Sequence, residues 1–410
     1  MTTNELIPNL FRSEYSKLVA VLCKTFGLSN IQVAEDIVSD TFLQATDTWK
    51  MKGLPDNQVG WLYTVAKNRT RDYLRREKVR REKIEPHLTH QQEIGYEIDI
   101  DFSKENISDS QLRMIFAICH PSLNKESQII LALRILCGFG IKEIAAALLS
   151  NRETTNKRLY RAKTNLREQQ IPIEFPVPQE ISNRLDTVLT TIYLLFNEGY
   201  YSNSDEKTLR RDLCLEAMRL LILLTNYPPT NLPKVNALLS LMCFHASRME
   251  ARLTESGALV LYEDQDKTLW NQELIEKGEF YLNKSSTGDR LSKYHLEAAI
   301  AYWHTQEESQ EKWENILQLY NYLLQIAYSP TAALNRTFAL AKAKNPKQAL
   351  QEALKLQQIE NHLYFCLLAE LYAQCQQNQK AIEQLNLALE KTKSVFEKDM
   401  ILKKIKKLVL

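Results

Sequence analysis

The chain has 410 residues and balances 52 Lys and Arg against 50 Asp and Glu, so a single small module is excluded and bulk charge names no partner. Glycine supplies only 10 residues and proline 12, against roughly 7% and 5% in average soluble proteins, while Leu, Ala, Glu, Gln, Lys and Arg abound. That balance predicts an all-α protein of two to four domains.

No uncharged apolar stretch approaches the roughly 18 residues that span a bilayer, and MTTNELIPNLFRSEY lacks a basic start followed by an apolar core. Seven cysteines (Cys23, Cys119, Cys137, Cys214, Cys243, Cys366 and Cys375) form no CxxC pair and sit in apolar helical contexts, as reduced core residues do. A cytoplasmic protein with no membrane segment is expected.

The charge is unevenly placed. Nine Lys and Arg face three acids from Lys67 to Lys83, and six face one acid from Arg152 to Arg167. Between them, from Ile84 to Asp109, seven acids face one lysine.

In chain order, residues 9–84 read as several helices broken at KGLPDNQ by Gly53 and Pro55. NIQVAEDIVSDTFLQATDTWK puts Ile31, Ala34, Val38, Phe42, Ala45 and Trp49 on one broad helical side. Asp36, Asp40, Leu43 and Asp47 fall on the other, where Leu43 is either a tolerated surface residue or a docking contact for a protein. WLYTVAKNRTRDYLRREKVRREK then interleaves aromatic and basic residues, a composition that suits a single strand as well as a duplex. Trp61 suits the core better than a stacking platform. Asn68, Arg69, Arg71, Arg75 and Arg76 are the candidates for contact.

Residues 85–110 form an acidic linker, and residues 111–170 a second helical set closed by IPIEFPVPQ, whose three prolines mark the clearest domain boundary. Inside this set a helix at about 141–149 carries Ile144, Ala145, Leu148 and Leu149 on its apolar side. After a turn at Ser150 and Asn151, a second helix places Thr155, Leu159, Ala162 and Leu166 on one continuous face. The opposite side presents Glu153, Lys157, Tyr160 and Thr164, with Arg152, Asn156 and Arg161 nearby. One acid against six bases leaves few internal partners, and such a helix can lay its polar side in a major groove as part of a helix-turn-helix.

Residues 179–290 read as a helical extension and 291–410 as helical repeats. Aligning Ala349 with Ala381 gives a spacing of 32, near the roughly 34-residue tetratricopeptide period, although small residues at helix contacts also occur in ordinary bundles. Within IYLLFNEGYYSNSD, Ile192, Leu195 and Phe196 fit a buried face, and Gly199 is placed for a left-handed cap. The corner Asn197, Glu198, Gly199 and Tyr200 is either structural, with Glu198 paired to an arginine, or a regulatory contact. His245, Arg248, Glu250 and Arg252, with Glu263, Asp264 and Asp266, supply acids, bases and potential metal ligands. No HExxH, glycine-rich phosphate loop or close His/Cys pairing accompanies them, so mutually paired charges are favoured over an enzyme, and no metal or cofactor is called for. A peptide-binding scaffold with incidental basic helices is a further alternative.

These pieces, in this order, resemble an extracytoplasmic-function sigma factor of bacterial RNA polymerase. AEDIVSDTFLQATDTW resembles the polymerase-docking helix of the second sigma domain, and WLYTVAKNRTRDYLRR the segment that opens and holds the minus-ten element. GIKEIAAALLSNRETTNKRLYRAKTNLRE resembles the fourth-domain helix-turn-helix that reads the minus-thirty-five element, with LSN where its turn commonly holds glycine. The resemblance implies that Asp36, Asp40, Leu43 and Asp47 dock on core polymerase and that Asn68, Arg69, Arg71, Arg75 and Arg76 engage the minus-ten strand. Arg152, Glu153, Asn156, Lys157, Tyr160 and Arg161 would lie in or beside the upstream major groove. FAICHPSLNKESQIILALRILCGFG, IYLLFNEGYYSNS, RRDLCLEAMRLLILL and LVLYEDQDKTLWN resemble a subgroup with a long helical, tetratricopeptide-like extension. This implies core RNA polymerase and promoter DNA as partners, and an extension that regulates activity through an intramolecular contact with the sigma domains.

Overall fold

Helix ends follow the punctuation of the sequence. Gly27 and Gly53 take φ values of 79° and 82°, a region cheap only for glycine, and each ends a long helix. Ser103, Asn124, Asn151, Asn271, Ser309, Ser329, Asn345 and Asn361 each accept a backbone N–H as helix N-caps. Pro233, Pro330 and Pro346 open helices where a missing N–H costs nothing.

The computed structural model describes residues 3–84, 100–148, 150–201, 207–252, 254, 260, 262–288, 290–356, 359, 361–392 and 395–409. Residues 85–99 of the expected acidic linker, and Leu149 of the expected apolar face, lie outside these. The described residues are α-helical without strands, and no helix among them is long and apolar enough to cross a membrane. The chain divides into two compact units, Met1–Thr230 and Asn231–Leu410.

The first unit contains α1 (Thr3–Phe26), α2 (Ile31–Lys52), α3 (Gln58–Ile84), α4 (Lys104–Ile118), α5 (Lys125–Leu131), a π-helical turn at Ala132–Leu136, α6 (Ile141–Ala147), α7 (Arg152–Glu168), α8 (Pro178–Tyr201) and α9 (Lys207–Asn226). Helices α2, α3 and α4 and the π-helical turn all pack on α1, whose Tyr15, Leu18, Val19, Leu22 and Cys23 are fully buried. Helix α7 packs on α5 and α6 and also reaches the short turn Leu28–Asn30 that joins α1 to α2. Helices α8 and α9 pair with each other and touch α4. Arg184 of α8 donates to the Phe116 carbonyl at 2.8 Å, and Arg219 of α9 to that of Leu136 at 2.9 Å.

Three local expectations change. The acidic strip is already helical from Lys104, because Ser103 caps α4 by accepting from the Asn106 N–H at 3.2 Å. The three-proline segment ends α7 but stays within the first unit. Its Phe175 ring packs between Phe116 and Tyr227 at centroid distances of 5.0 and 4.9 Å, and Pro178 opens the next helix. Gly199 is buried inside α8 and does not cap it, since the helix continues to Tyr201.

The second unit contains α10 (Pro233–Ser247), α11 (Gln272–Ser285), α12 (Lys293–Trp303), α13 (Gln310–Ile326), α14 (Pro330–Ala343), α15 (Pro346–Ala353), α16 (His362–Gln374), α17 (Asn378–Lys391) and α18 (Val395–Val409). Helix α10 is buried along nearly its whole length by α11 and α12. Gly278 permits the close crossing, since a Cβ there would sit 2.6 Å from the Phe244 ring, and its carbonyl accepts from Ser240 at 2.7 Å. From α13 onward, successive helices pack on their neighbours, and Ala349 and Ala381, aligned in the sequence, are both fully buried.

Candidate protein and nucleic-acid interfaces

The amphipathic reading of α2 holds residue by residue. Ile31, Ala34, Val38, Phe42, Ala45 and Trp49 are at most 5% exposed. Asp36, Asp40, Leu43 and Asp47 face solvent, and Leu43 is 63% exposed among carboxylates that repel a casual apolar cover. On α3, Asn68, Arg71, Arg75 and Arg76 are exposed and Arg69 is half-buried. Trp61 is half-buried with its ring tilted against buried Trp49, 5.4 Å between centroids, which makes it a wall of the core.

The two faces meet along one edge. Arg69 donates to Asp40 at 3.1 Å and to Gln44 at 3.0 and 3.2 Å, bridging α3 to α2. Beside this bridge lies a cleft of about 330 Å³ lined by Val33, Asp36, Ile37, Asp40, Arg69, Asp72, Tyr73 and Arg76. The Arg69–Asp40 and Arg75–Asp72 pairs are solvent-accessible, and exposed pairs are worth at most about 1 kcal/mol. Their guanidinium groups can therefore be drawn to phosphate at little cost.

Helix α7 separates its two sides as expected. Thr155, Leu159, Ala162 and Leu166 are buried, whereas Arg152, Glu153, Asn156, Lys157, Tyr160 and Arg161 are exposed, Tyr160 by 70%. Asn151 starts the helix by accepting from the Thr154 N–H at 2.7 Å. The pair Lys157–Glu153 spans 2.6 Å between side chains 66% and 78% exposed, so solvent and salt screen it heavily. Thr164, expected on the polar side, is half-buried.

The corner in α8 is packed. Tyr200 is buried with its ring stacked on Phe196, and Asn197 and Glu198 are half-buried. Glu198 makes no ion pair among the described residues, and the side chain of Arg210 lies outside them. Burial pushes its carboxyl above the usual range. In the second unit, Arg248 lies over the rings of Tyr262 and Trp270 at 5.5 and 6.0 Å, and Asp266 caps a short turn by accepting from the Thr268 N–H. No group of three His, Cys, Asp or Glu side chains among the described residues is disposed to hold a metal ion.

Sequence reasoning missed Glu35. It stands between Ala34 and Asp36 yet is only 2% exposed, and three donors converge on it. Tyr15 Oη of α1 donates at 2.8 Å, Arg134 Nε of the π-helical turn at 2.8 Å, and Lys163 Nζ of α7 donates to its other oxygen. Burial alone would raise the Glu35 carboxyl, but the Lys163 ammonium and Arg134 guanidinium outweigh it and hold the group below the usual carboxylate range. The Arg134 guanidinium also lies over the Tyr15 ring at 5.1 Å. Nearby, Arg12 of α1 pairs with Glu143 of α6 at 2.9 Å and with Asp212 of α9. Four acids lie in α2, and only partners remote in sequence distinguish the buried one.

The first unit thus carries an acidic, leucine-centred face beside a basic aromatic helix, followed by a second basic helix. Residues 10–80 match sigma-70 region 2, and residues 184–286 match a family of unknown function (DUF6596). An uncharacterized protein of Rhizobium meliloti (strain 1021) is 34% identical over 332 residues, covering 78% of this chain and 76% of its own. No solved structure matches. The chain belongs to the sigma-70 family of sigma factors, whose role is transcription initiation, and carries a long helical C-terminal extension.

Proposed function

We propose that the chain is an extracytoplasmic-function sigma factor that binds core RNA polymerase and directs promoter-specific initiation, with an extension that regulates it. The observation that carries this reading is the coincidence of the region 2 match, residues 10–80, with two exposed faces of opposite character on adjacent helices. Asp36, Asp40, Leu43 and Asp47 dock on core polymerase, and Leu43 supplies the apolar contact at the centre of the acidic ring. Asn68, Arg69, Arg71, Arg75 and Arg76 hold the minus-ten strand as it opens, trading weak surface pairs for phosphates.

Arg152, Glu153, Asn156, Lys157, Tyr160 and Arg161 read the minus-thirty-five major groove from α6 and α7 acting as a helix-turn-helix. Polymerase tethers both modules, so the second DNA contact is intramolecular and neither module need bind tightly by itself. The extension acts through its first helices, α8 and α9, which lie on the same unit as these modules, while α13 to α17 form tetratricopeptide-like repeats. Asn197, Glu198, Gly199 and Tyr200 belong to the packing of that extension and pass its state on.

Run-off transcription with purified core polymerase and the promoter of the chain's own operon tests the reading. Initiation is expected only when the full chain is present. Leu43→Glu is expected to abolish core binding, while Lys157→Ala and Arg161→Ala weaken promoter-dependent transcription without loss of stability. A chain that never binds core polymerase, or variants that transcribe as the parent does, would remove the assignment.

A further inference from the structure

In the second unit a buried cation stands without a carboxylate. Arg248 follows the last turn of α10 and is 8% exposed, and among the described residues the side-chain polar atom beside its guanidinium is His245 Nδ1, at 3.4 Å. Its Nε–H has no hydrogen-bond partner. A guanidinium cannot escape burial by losing its proton, so an unpaired one in the interior is costly. The carbonyl end of α10 and two aromatic faces offset part of that cost, but they take no bond from the Nε–H.

The fold gathers further unpaired polar atoms around this cation. The Asn271 N–H donates to the Ser247 carbonyl at 2.8 Å, which sets Trp270 beside the end of α10, and the Tyr262 hydroxyl donates to the His304 carbonyl at 2.6 Å. The Tyr262 ring is the hub. It lies 5.5 Å from the Arg248 guanidinium, 6.2 Å from the Trp270 ring and 5.0 Å from the His304 ring. Trp270 Nε1 and His304 Nδ1 are buried atoms, and neither has a partner among the described residues. Lys312, 5.4 Å from the same ring, is already committed to Tyr262 Oη, the Gln306 carbonyl and Glu308.

The chemistry of these atoms selects an anion. Arg248 Nε and Trp270 Nε1 can only donate, and a neutral imidazole carries an N–H on one of its ring nitrogens. Burial first, then Arg248 and Lys312, press the His304 imidazolium down to about 3, so the ring meets a ligand neutral. Gln265 Oε1, three residues beyond Tyr262, is the one unpaired acceptor on this segment among the described residues. Such a set repels a metal ion. One guanidinium supplies a single uncommitted positive charge, and its edge offers two parallel N–H groups that match the two oxygens of a carboxylate. The flat faces of Tyr262 and Trp270 suit the carbon atoms of an organic acid better than a fully hydrated inorganic ion.

We propose that Arg248, Trp270 and His304, set around the Tyr262 ring, form a binding site for a small organic carboxylate. The bound carboxylate neutralises Arg248 and accepts from the buried N–H groups that the chain itself leaves unpaired. The site involves neither polymerase nor promoter. It is tested on the chain alone, so its failure and that of the sigma-factor reading are separate.

The full chain is exchanged into Tris buffer with chloride as the sole anion and titrated calorimetrically with acetate, lactate, succinate and inorganic phosphate at constant ionic strength. Saturable one-to-one binding of at least one of the three carboxylates is expected, tighter than that of phosphate. Arg248→Gln is expected to weaken it at least about tenfold, as loss of a charge-assisted pair does. Trp270→Phe keeps a ring and loses the indole N–H, for an expected weakening of about fivefold. Hydrogen exchange of second-unit peptides checks that each variant is folded. If Arg248→Gln is not, Trp270→Phe and His304→Phe carry the comparison. The site is overturned by binding that is unchanged in the folded variants, or by phosphate binding more tightly than every carboxylate. Absence of saturable binding by all three carboxylates also overturns it, and leaves water to satisfy the buried N–H groups.

Discussion

Two buried charges, one in each unit, are handled in opposite ways. Glu35 of the first unit draws its donors from residues 20, 99 and 128 positions away, on three separate elements. Lys312 of the second unit has a fully buried side chain, but two of its acceptors, the Gln306 carbonyl and Glu308, lie within six residues of it. The third, Tyr262 Oη, is 50 residues away and accepts at 3.0 Å. The first cluster therefore exists only when distant elements dock, whereas most of the second is a local property of the turn before α13. Glu35 is a tertiary tie, and Lys312 is a local plug.

The surroundings differ in sign as well. Glu35 is an anion neutralised by two cations. The region around Lys312 is rich in cations: Arg248 is 8% exposed and sits 3.4 Å from His245 Nδ1, while the nearest carboxylate to Lys312, Glu308, is itself 58% exposed. Burial first, then Arg248 and Lys312, press the His304 imidazolium down to a pKa of about 3. Burial, Arg248 and Arg252 likewise depress His245. Both histidines are consequently neutral at physiological pH.

The largest expected difference comes from removing the central charge. Glu35→Ala strands Lys163 and Arg134 in the interior and is expected to cost the first unit about 3–5 kcal/mol. Lys312→Met leaves Glu308 solvated and the Gln306 carbonyl and Tyr262 Oη without this donor, while Tyr262 keeps its bond to the His304 carbonyl, a loss of about 1–3 kcal/mol in the second unit. Urea unfolding followed by hydrogen exchange of peptides from each unit measures the two separately. Equal losses would erase the distinction between tie and plug.

Acid sharpens the same contrast. The unfolded chain protonates a histidine near pH 6.5, whereas folded His304 does so only near 3. The stability that neutral His304 contributes is therefore fully present above about pH 6.5 and falls by about 1.4 kcal/mol per pH unit below it, about 2 kcal/mol by pH 5. Glu35 has a lowered folded value, so its contribution is present above the usual carboxylate range and is lost only as the pH falls through that lower value. Between pH 7 and 5 the second unit is expected to lose stability while the first keeps its Glu35 share. His304→Phe should make the second unit's pH dependence shallower, leaving the share of His245, and an unchanged slope would refute the cause.

Much of the architecture was readable in the chain. The stripes of α2 and α7 were legible because helical period alone decides which side is apolar, and every residue assigned to them is buried. The proline segment was harder. Proline ends a helix through its own ring, but whether the chain then leaves the core depends on Phe175 finding Phe116 and Tyr227, which no local rule encodes. Gly199 reads as a cap only if the helix stops there, and helix α8 runs on to Tyr201. The exposed candidates on α2, α3 and α7 were visible as charge asymmetry. Glu35 was not, since its meaning lies wholly in partners supplied by other elements.

The smallest expected effects come from single hydroxyls, and they ask whether each cluster depends on its tyrosine. Tyr15→Phe removes one of three donors to Glu35, but both cations remain within reach of the carboxylate, so the loss should be about 1 kcal/mol. Tyr262→Phe removes an acceptor from Lys312 and also the donor to the His304 carbonyl at 2.6 Å. Two bonds disappear there and one half-buried carbonyl loses its side-chain donor, which should cost about 2 kcal/mol. The ordering runs against that of the charge deletions, because the anion of the first unit is held by two cations, and the cation of the second by two neutral oxygens and one largely solvated carboxylate. Chemical denaturation of both variants, resolved by unit, checks it. If Tyr15→Phe proved the costlier of the two, the phenol rather than the ion pairs would be holding Glu35 in place.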